Sequence, residues 1–263
     1  MQLRRRSVSV TTSGSGTRAC EILAWDSDFF GRRLARYRRS RCLPEDAAAI
    51  AAECERQTIE GVYILVEAAD TESIIALQQT PALLADVRVT FGTEIGRTVL
   101  EVAPDRDVHV RPAAGADVPA LARIASVSHR DTRFYADRHF DSARCDRLYE
   151  VWIENSCAGY ADAVLVAEGD AGRPAGYVTC HKSDAKTRGH IGLFAVSEEA
   201  QGRGVGKALM RAALAWFATN GVSTMSVATQ LRNVRALRFY GRCGLLISRA
   251  ELWFHLWPGD VRA

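Results

Sequence analysis

Several things are scarce or missing in this 263-residue chain. Its seven cysteines are odd in number, scattered and free of any CxxC pair. That excludes a disulfide framework and a cysteine-based zinc site, and points to a reducing compartment. His109, His129, His139 and His255 lack metal-ligand spacing. No apolar run approaches a membrane span. Met1 to Arg18 begins with basic residues but has no apolar core of the kind a secretory signal needs, so a cytoplasmic protein is expected. Lysine is almost absent (Lys182, Lys186 and Lys207), and arginine carries the positive charge. Together with the many alanines, this reads as codon bias rather than chemistry. The net charge is only +3, yet residues 1 to 41 hold ten Arg against Glu21, Asp26 and Asp28. That arginine-rich lead is not interleaved with aromatics, which favours a solvated leader over a nucleic-acid-binding arm.

What is present is an ordinary soluble composition, 48% hydrophobic and 25% charged, in a chain long enough for one large or two small domains. Ser13-Gly-Ser-Gly-Thr17 marks the end of a leader, 1–18, that is expected to be disordered. A small α/β unit is expected over 19–106, with helices at Glu45 to Gln57 and Glu72 to Gln79. Val62 to Glu67 reads as a strand, and Val87 to Val102 as extended segments broken near Gly92 and Gly96. The Pro-Asp pair at 104–105 marks the boundary. In 107–263 the order becomes regular. Val108 to Arg111 reads as a strand, Ala116 to His129 and Asp141 to Ala158 as helices. Strands follow at Ala163 to Glu168, Pro174 to Cys180 and His190 to Val196. An amphipathic helix carries Val205, Leu209, Ala212, Ala213, Trp216 and Phe217 at 3–4 spacing. Thr224 to Ala228 is a strand, Val234 to Cys243 a helix, and Leu245 to Trp257 supplies closing strands.

The run Gln201-Gly-Arg-Gly-Val-Gly-Lys207 falls between the strand ending at Val196 and that amphipathic helix. Strand, glycine-rich turn and helix start together offer bare backbone N–H groups to a phosphate, and the helix dipole favours negative charge there. The run is neither a P-loop, since Ala208 follows Lys207, nor a GxGxxG loop, since Gly202, Gly204 and Gly206 alternate. A structural glycine-rich helix start is the alternative.

Gln-x-x-Gly-x-Gly resembles the pyrophosphate signature of the GNAT N-acetyltransferases, and the order β-α-α-β-β-β-α-β-α-β is similar to theirs. Further stretches match one branch of that family, the dTDP-fucosamine acetyltransferases: Trp25-Asp-Ser-Asp-Phe-Phe-Gly31, Asp131-Thr-Arg-Phe134, Trp152-Ile-Glu-Asn155, Val227-Ala-Thr-Gln230 and Leu252-Trp-Phe-His-Leu256. The resemblance implies a GNAT acyltransferase fold, a mixed central sheet flanked by helices, preceded by the small N-terminal α/β domain. It also implies acetyl-CoA as the acetyl donor and a nucleotide-linked amino sugar as acceptor, in polysaccharide biosynthesis. Closing strands of this fold often pair between subunits, so a homodimer is compatible with it.

Residue by residue, the amides of Gly202, Arg203, Gly204, Val205 and Gly206, aided by the side chains of Arg203 and Lys207 and preceded by Gln201, are expected to hold the cofactor diphosphate. In the family, the strand holding Phe194, Ala195 and Val196 lines the pantetheine and offers an N–H, near Phe194 or Ala195, to the thioester carbonyl. The resemblance gives Asn233 a cofactor contact. It makes Tyr240 the general acid that protonates the departing thiolate, a role suited to a phenol protonated at neutral pH. Seven residues separate Asn233 and Tyr240, nearly two helical turns, so both are expected on one helix face. Arg133, Phe134 and Tyr135 are the candidate acceptor-binding group, with guanidinium for phosphate and rings for a base. The general base is left among His181, His190, Asp131 and Glu154. Two rival functions remain open: a GNAT enzyme acting on another small amine or a protein N-terminus, and a non-catalytic coenzyme A sensor.

Overall fold

The computed structural model describes residues 18–96, 108–183 and 187–260. Ten strands and eight α-helices alternate through it. In chain order they are β1 (Cys20–Ile22), α1 (Ala24–Phe30), β2 (Leu34–Tyr37), α2 (Pro44–Gln57), β3 (Gly61–Glu67), α3 (Thr71–Gln78) and β4 (Leu83–Glu94). There follow β5 (Val110–Pro112), α4 (Val118–Ser128), α5 (Arg133–Ala136), α6 (Ser142–Asn155), β6 (Ala163–Glu168), β7 (Pro174–Lys182) and β8 (Arg188–Val196). The chain closes with α7 (Val205–Thr219), β9 (Thr224–Gln230), α8 (Val234–Arg242) and β10 (Leu246–Leu256). Local chemistry sets several of these limits. Pro44 opens α2, Asp70 accepts the Ser73 N–H to cap α3, and Asp141 accepts the Arg144 N–H to cap α6.

All ten strands form one mixed sheet in the order β1-β2-β3-β10-β4-β9-β8-β7-β6-β5. The expected boundary at 106/107 lies outside the described residues, and strands from both sides of it share this sheet. β4 lies between β10 and β9, antiparallel to both, with Arg88 to Glu94 facing Gln230 to Thr224. Where several closing strands were expected after Leu245, a single strand β10 runs the whole length and bends at two register shifts against β4. β1, α1 and β2 had no counterpart in the sequence reading, being too short for a periodic pattern.

Helices cover both faces. On one side α7 and α8 seal a core of Val89, Phe91, Val178, Leu209, Met210, Phe217 and Met225. α2 and α3 cover the N-terminal part over Ile50, Ile64, Leu77 and Phe254. On the other side α4, α5 and α6 close over Phe134, Leu121, Leu148, Ile153 and Tyr177. Strand alternation explains the division: Val62, Ile64 and Val66 of β3 face one core, and Tyr63 between them faces the other.

Candidate active site

The site begins where two parallel strands separate. β8 and β9 pair from Arg188/Thr224 to Ile191/Val227 and no further, although β8 continues to Val196 and β9 to Gln230. On its other edge, β8 slips against β7 between Val178/Phe194 and Cys180/Ile191, a bulge at Gly192 and Leu193. Gly192 is needed there, because a Cβ would stand 2.6 Å from the His181 Nε2. The Leu193 N–H donates to Thr179 Oγ1 (2.8 Å) and the Ser197 N–H to Ala175 O (2.8 Å), both toward β7. The two-residue period of a strand therefore turns the Phe194 and Val196 amides the other way, toward the gap left by β9. Of the two residues expected to offer an N–H, Phe194 faces the cleft and Ala195 faces β7.

At the C-terminal end of β8 the Gln201 to Lys207 run folds as a tight turn into α7. Gly202 and Gly204 both take left-handed φ, +74° and +84°, and Gly204 is the N-cap of the helix. A Cβ at Gly202 would meet no atom within 4 Å beyond its chain neighbours, so the space over the turn is open. Among the described residues, the N–H groups of Gly202, Arg203, Gly204, Val205 and Gly206 donate to no backbone acceptor, leaving a row of first-turn donors at the positive end of a 15-residue helix. Gln201 belongs to the scaffold. Its Nε2 donates to Val196 O (3.2 Å), and its Oε1 accepts from Arg235 on α8. Arg203 lies at the surface, 3.7 Å from Asp170.

α8 starts just after Asn233 and carries Tyr240 against Phe194 of β8. Asn233 is the N-cap of α8, its Oδ1 accepting the Ala236 N–H at 3.0 Å. It therefore stands just before the first turn of α8 rather than within it, with Oδ1 engaged in capping and Nδ2 as the side chain's donor. Tyr240 is buried, with its ring edge-on to Phe194 (6.3 Å between centroids) and against Phe91 and Phe239. Burial pushes its phenol well above the usual range, with Cys243 adding to the effect, so the proton stays on at neutral pH.

The expected acceptor group divides. Phe134 is 2% exposed and packs against Phe30, Tyr63, Phe140 and Trp152. It is a core residue, unavailable for stacking on an acceptor. The Tyr135 hydroxyl donates to Asp146 at 2.5 Å. Arg133 alone is displayed toward the sheet, its guanidinium over the rings of Tyr63 (4.1 Å), Phe134 (4.1 Å) and Trp253 (4.5 Å). Its Nη1 donates to His255 Nε2 (3.0 Å).

His255 is held in turn by the Asp137 carboxylate (2.6 Å), which also accepts from Trp257 Nε1 (2.8 Å) and the His139 N–H (3.0 Å). Burial would push Asp137 up, but these hydrogen bonds outweigh it and hold the carboxyl far below the usual range. Nearby, Leu84, Asp86, Val87, Leu231 and Arg232 line a groove of about 300 Å³ between β4 and the end of β9. Burial pushes Asp86 up to about 6, with Arg232 opposing. Tyr63, His255, Asp137 and Asp86 were not singled out as site residues by the sequence; His255 falls within the quoted Leu252–Leu256 stretch.

Of the base candidates, His181 and His190 stack at 4.7 Å beside the bulge. Burial pushes both down, His181 to about 4, so both are uncharged at neutral pH. Glu154 is paired with Arg147 at 2.9 and 3.0 Å. Asp131 is exposed.

Comparison with known proteins gives the family. The model of the acetyltransferase (GNAT) family matches residues 124–245. Over 236 residues the chain is 30% identical to the dTDP-fucosamine acetyltransferase of Escherichia coli O6:H1, covering 89% of this chain and 96% of that protein. The chain belongs to the GNAT acetyltransferase family. This GNAT protein is also 27% identical over 148 residues to the spore coat polysaccharide biosynthesis protein SpsD of Bacillus subtilis, 56% of this chain and 50% of that one. Its fold matches a GCN5-related N-acetyltransferase from Sphaerobacter thermophilus (TM-score 0.64, 14% identity, 92% of this chain and 77% of that one). It is thus an N-acetyltransferase with a GNAT fold, and enzymes of this family generally use acetyl-CoA. Among the described residues no helix is long and apolar enough to cross a membrane.

Proposed function

We propose that the protein transfers the acetyl group of acetyl-CoA to the amino group of a nucleotide-linked amino sugar. The observation that carries the reading is the end of β8–β9 pairing at Ile191/Val227, with the amide turn beyond one end of the gap and Tyr240 beside it. The acceptor class rests on the relative named as a dTDP-fucosamine acetyltransferase, whose length the chain matches almost throughout, including the strands before β5.

The residues present fit such a donor. A turn with two left-handed glycines and a row of N–H groups without backbone partners among the described residues suits a diphosphate, which needs several donors at close approach. The cofactor, when bound, supplies an activated acetyl thioester. The amides of Gly202 to Gly206 bind its diphosphate. Arg203 and Lys207 add positive charge, and the Nδ2 of Asn233 is an available donor to the pantetheine arm. Val196 and Phe194 offer the cleft-facing edge of β8, and the Phe194 N–H supplies a fixed donor for an oxygen that gains charge. Tyr240 holds a proton at its Oη for the leaving sulfur. The acceptor amine must arrive uncharged, and His181 and His190 flank the approach from the α4 side without adding positive charge.

A mass-shift assay with TDP-linked amino sugars, set against aminoglycosides and peptides, tests the acceptor. Saturable acetylation of the sugar alone is expected, and acetylation of peptides alone would sink the proposal. Tyr240→Phe should lower kcat at least tenfold while leaving the affinity for acetyl-CoA unchanged; equal turnover would remove Tyr240 from its role.

A further inference from the structure

Arg133 is a half-buried cation without a counter-ion. Among the described residues no carboxylate lies within ion-pair distance of it. Asp26 and Asp86 feel its charge from farther away. What holds it is neutral: the faces of Tyr63, Phe134 and Trp253, and the lone pair of His255 Nε2. Asp137 accepts from His255 Nδ1, which fixes the tautomer with the bare nitrogen toward Arg133. Burial lowers the proton affinity of His255, with Arg133 adding to the effect. A guanidinium has five donors in a planar fork, and His255 engages one nitrogen of it.

A second observation points to the same spot. The Tyr63 hydroxyl, on a side chain 1% exposed, has no hydrogen-bond partner of good geometry; the Arg133 guanidinium over its ring is the cation that favours its charged form, against the larger effect of burial. A buried hydroxyl without a well-placed partner is costly, so such a hydroxyl beside a cation with no carboxylate in direct contact signals a missing group with acceptor atoms and negative charge.

We propose that Arg133 and the Tyr63 hydroxyl form an oxyanion site for the diphosphate of the acceptor, with His255 and Asp137 as the residues that position the guanidinium. This rests on the reading of the protein as a nucleotide-sugar acetyltransferase and adds the residues that read the acceptor's phosphates. The placement suits that role. Tyr63, Trp253 and His255 lie on β3 and β10, and β10 is two strands from β9 on the sheet. At about 4.8 Å per strand the site stands roughly 10 Å from the β9 side of the cleft. A sugar ring lies between its amine and its phosphates, so donor and acceptor phosphates need separate sites on the protein. The fork of Arg133 matches phosphate geometry, which a lysine would not reproduce.

The test is calorimetric titration of the full chain with thymidine diphosphate, inorganic pyrophosphate and thymidine. Saturating coenzyme A is present, so that the amide turn cannot supply the signal. Thymidine diphosphate and pyrophosphate should bind and thymidine should bind far more weakly. Arg133→Met should weaken the diphosphate at least tenfold, and Arg133→Lys should recover only part of the loss. Tyr63→Phe should weaken it three- to tenfold while the melting temperature stays level or rises, because the orphan hydroxyl is gone. Unchanged affinity in Tyr63→Phe with a raised melting temperature would make the hydroxyl a packing defect and overturn the site; so would unchanged affinity in Arg133→Met. Acetylation measured on the same proteins separates the two readings. Wild-type protein that binds the diphosphate but acetylates no TDP-amino sugar defeats the proposed function alone. Acetylation with wild-type KM in both variants defeats the oxyanion site alone.

Discussion

Replacing Gly204 separates the backbone's part in cofactor binding from that of charge. Gly204 sits at φ +84° as the N-cap of α7, so any side chain there adopts a left-handed conformation, at about 1–2 kcal/mol. That strain is present with or without ligand, so Gly204→Ala should lower stability by about that amount and leave cofactor affinity nearly intact. Gly204→Glu carries the same strain, partly offset because a carboxylate at a helix N-terminus gains about 0.3–1 kcal/mol. With a diphosphate bound, however, two like charges roughly 5 Å apart at an effective dielectric of 20 repel by about 3 kcal/mol, roughly a hundredfold in affinity. Calorimetry should therefore show coenzyme A binding weakened about a hundredfold in the glutamate variant and little changed in the alanine variant, while unfolding ranks alanine as the less stable. Turnover of S-acetyl-pantetheine, which lacks the diphosphate, should be similar in both. Coenzyme A affinity within threefold of wild type in Gly204→Glu would refute the assignment of the turn, as would equal losses with both donors.

Acid should destabilise the fold before the carboxylates titrate. His129, His181 and His255 are each pushed down to about 4, foremost by burial, while their unfolded counterparts protonate near 6.5. Below pH 6.5 only the unfolded chain takes up these protons, so stability is full above that pH and is lost as pH falls toward 4, by up to about 1.4 kcal/mol per pH unit for each histidine. Melting temperatures between pH 7.5 and 4.5 should show the fall, and a flat profile would mean these rings are hydrated. Phe134→Ala should cost about 3–5 kcal/mol in chemical denaturation. A cost below 1 kcal/mol would return Phe134 to the surface and to the acceptor group.

How much of this was legible depends on whether the signal is local. The amphipathic stripe of α7 and the glycine turn before it are contiguous, and the helix starts at Val205 directly after the turn. The strands β6 and β7 are buried on both faces, and β8 alternates buried with exposed or half-buried residues, patterns that are local and visible without knowing the partner strands. By contrast, the placement of β4 between β10 and β9 depends on pairings such as Leu252/Val87 and Arg88/Gln230, and nothing local encodes these. Arg133 and Phe134 are neighbours that looked alike as loop residues. The single helical turn of α5 sends one into the core and lays the other across rings from β3 and β10. The placement of Asn233 just before α8 rather than within it has a similar cause. A spacing of seven is compatible with one helix face, but the same residue type is a preferred N-cap, and its Oδ1 caps α8.

The two sides of the proposed reaction are built differently. The donor side, from Phe194 through the glycine turn to Asn233 and Tyr240, lies within one stretch of about fifty residues, because a β-turn-α unit and the next strand and helix suffice to make a cleft with a dipole at its end. The acceptor side draws Tyr63 from β3, Arg133 and Asp137 from α5 and its end, and His255 from β10, segments that meet only because β4 and β10 complete the sheet beside β9. Substitutions on the first half of the chain can therefore reshape acceptor recognition without touching the amide turn or Tyr240. Related chains that keep the Gln-x-x-Gly-x-Gly turn but differ at the Tyr63, Arg133 and His255 positions should then share the donor and differ in the anion their acceptor carries.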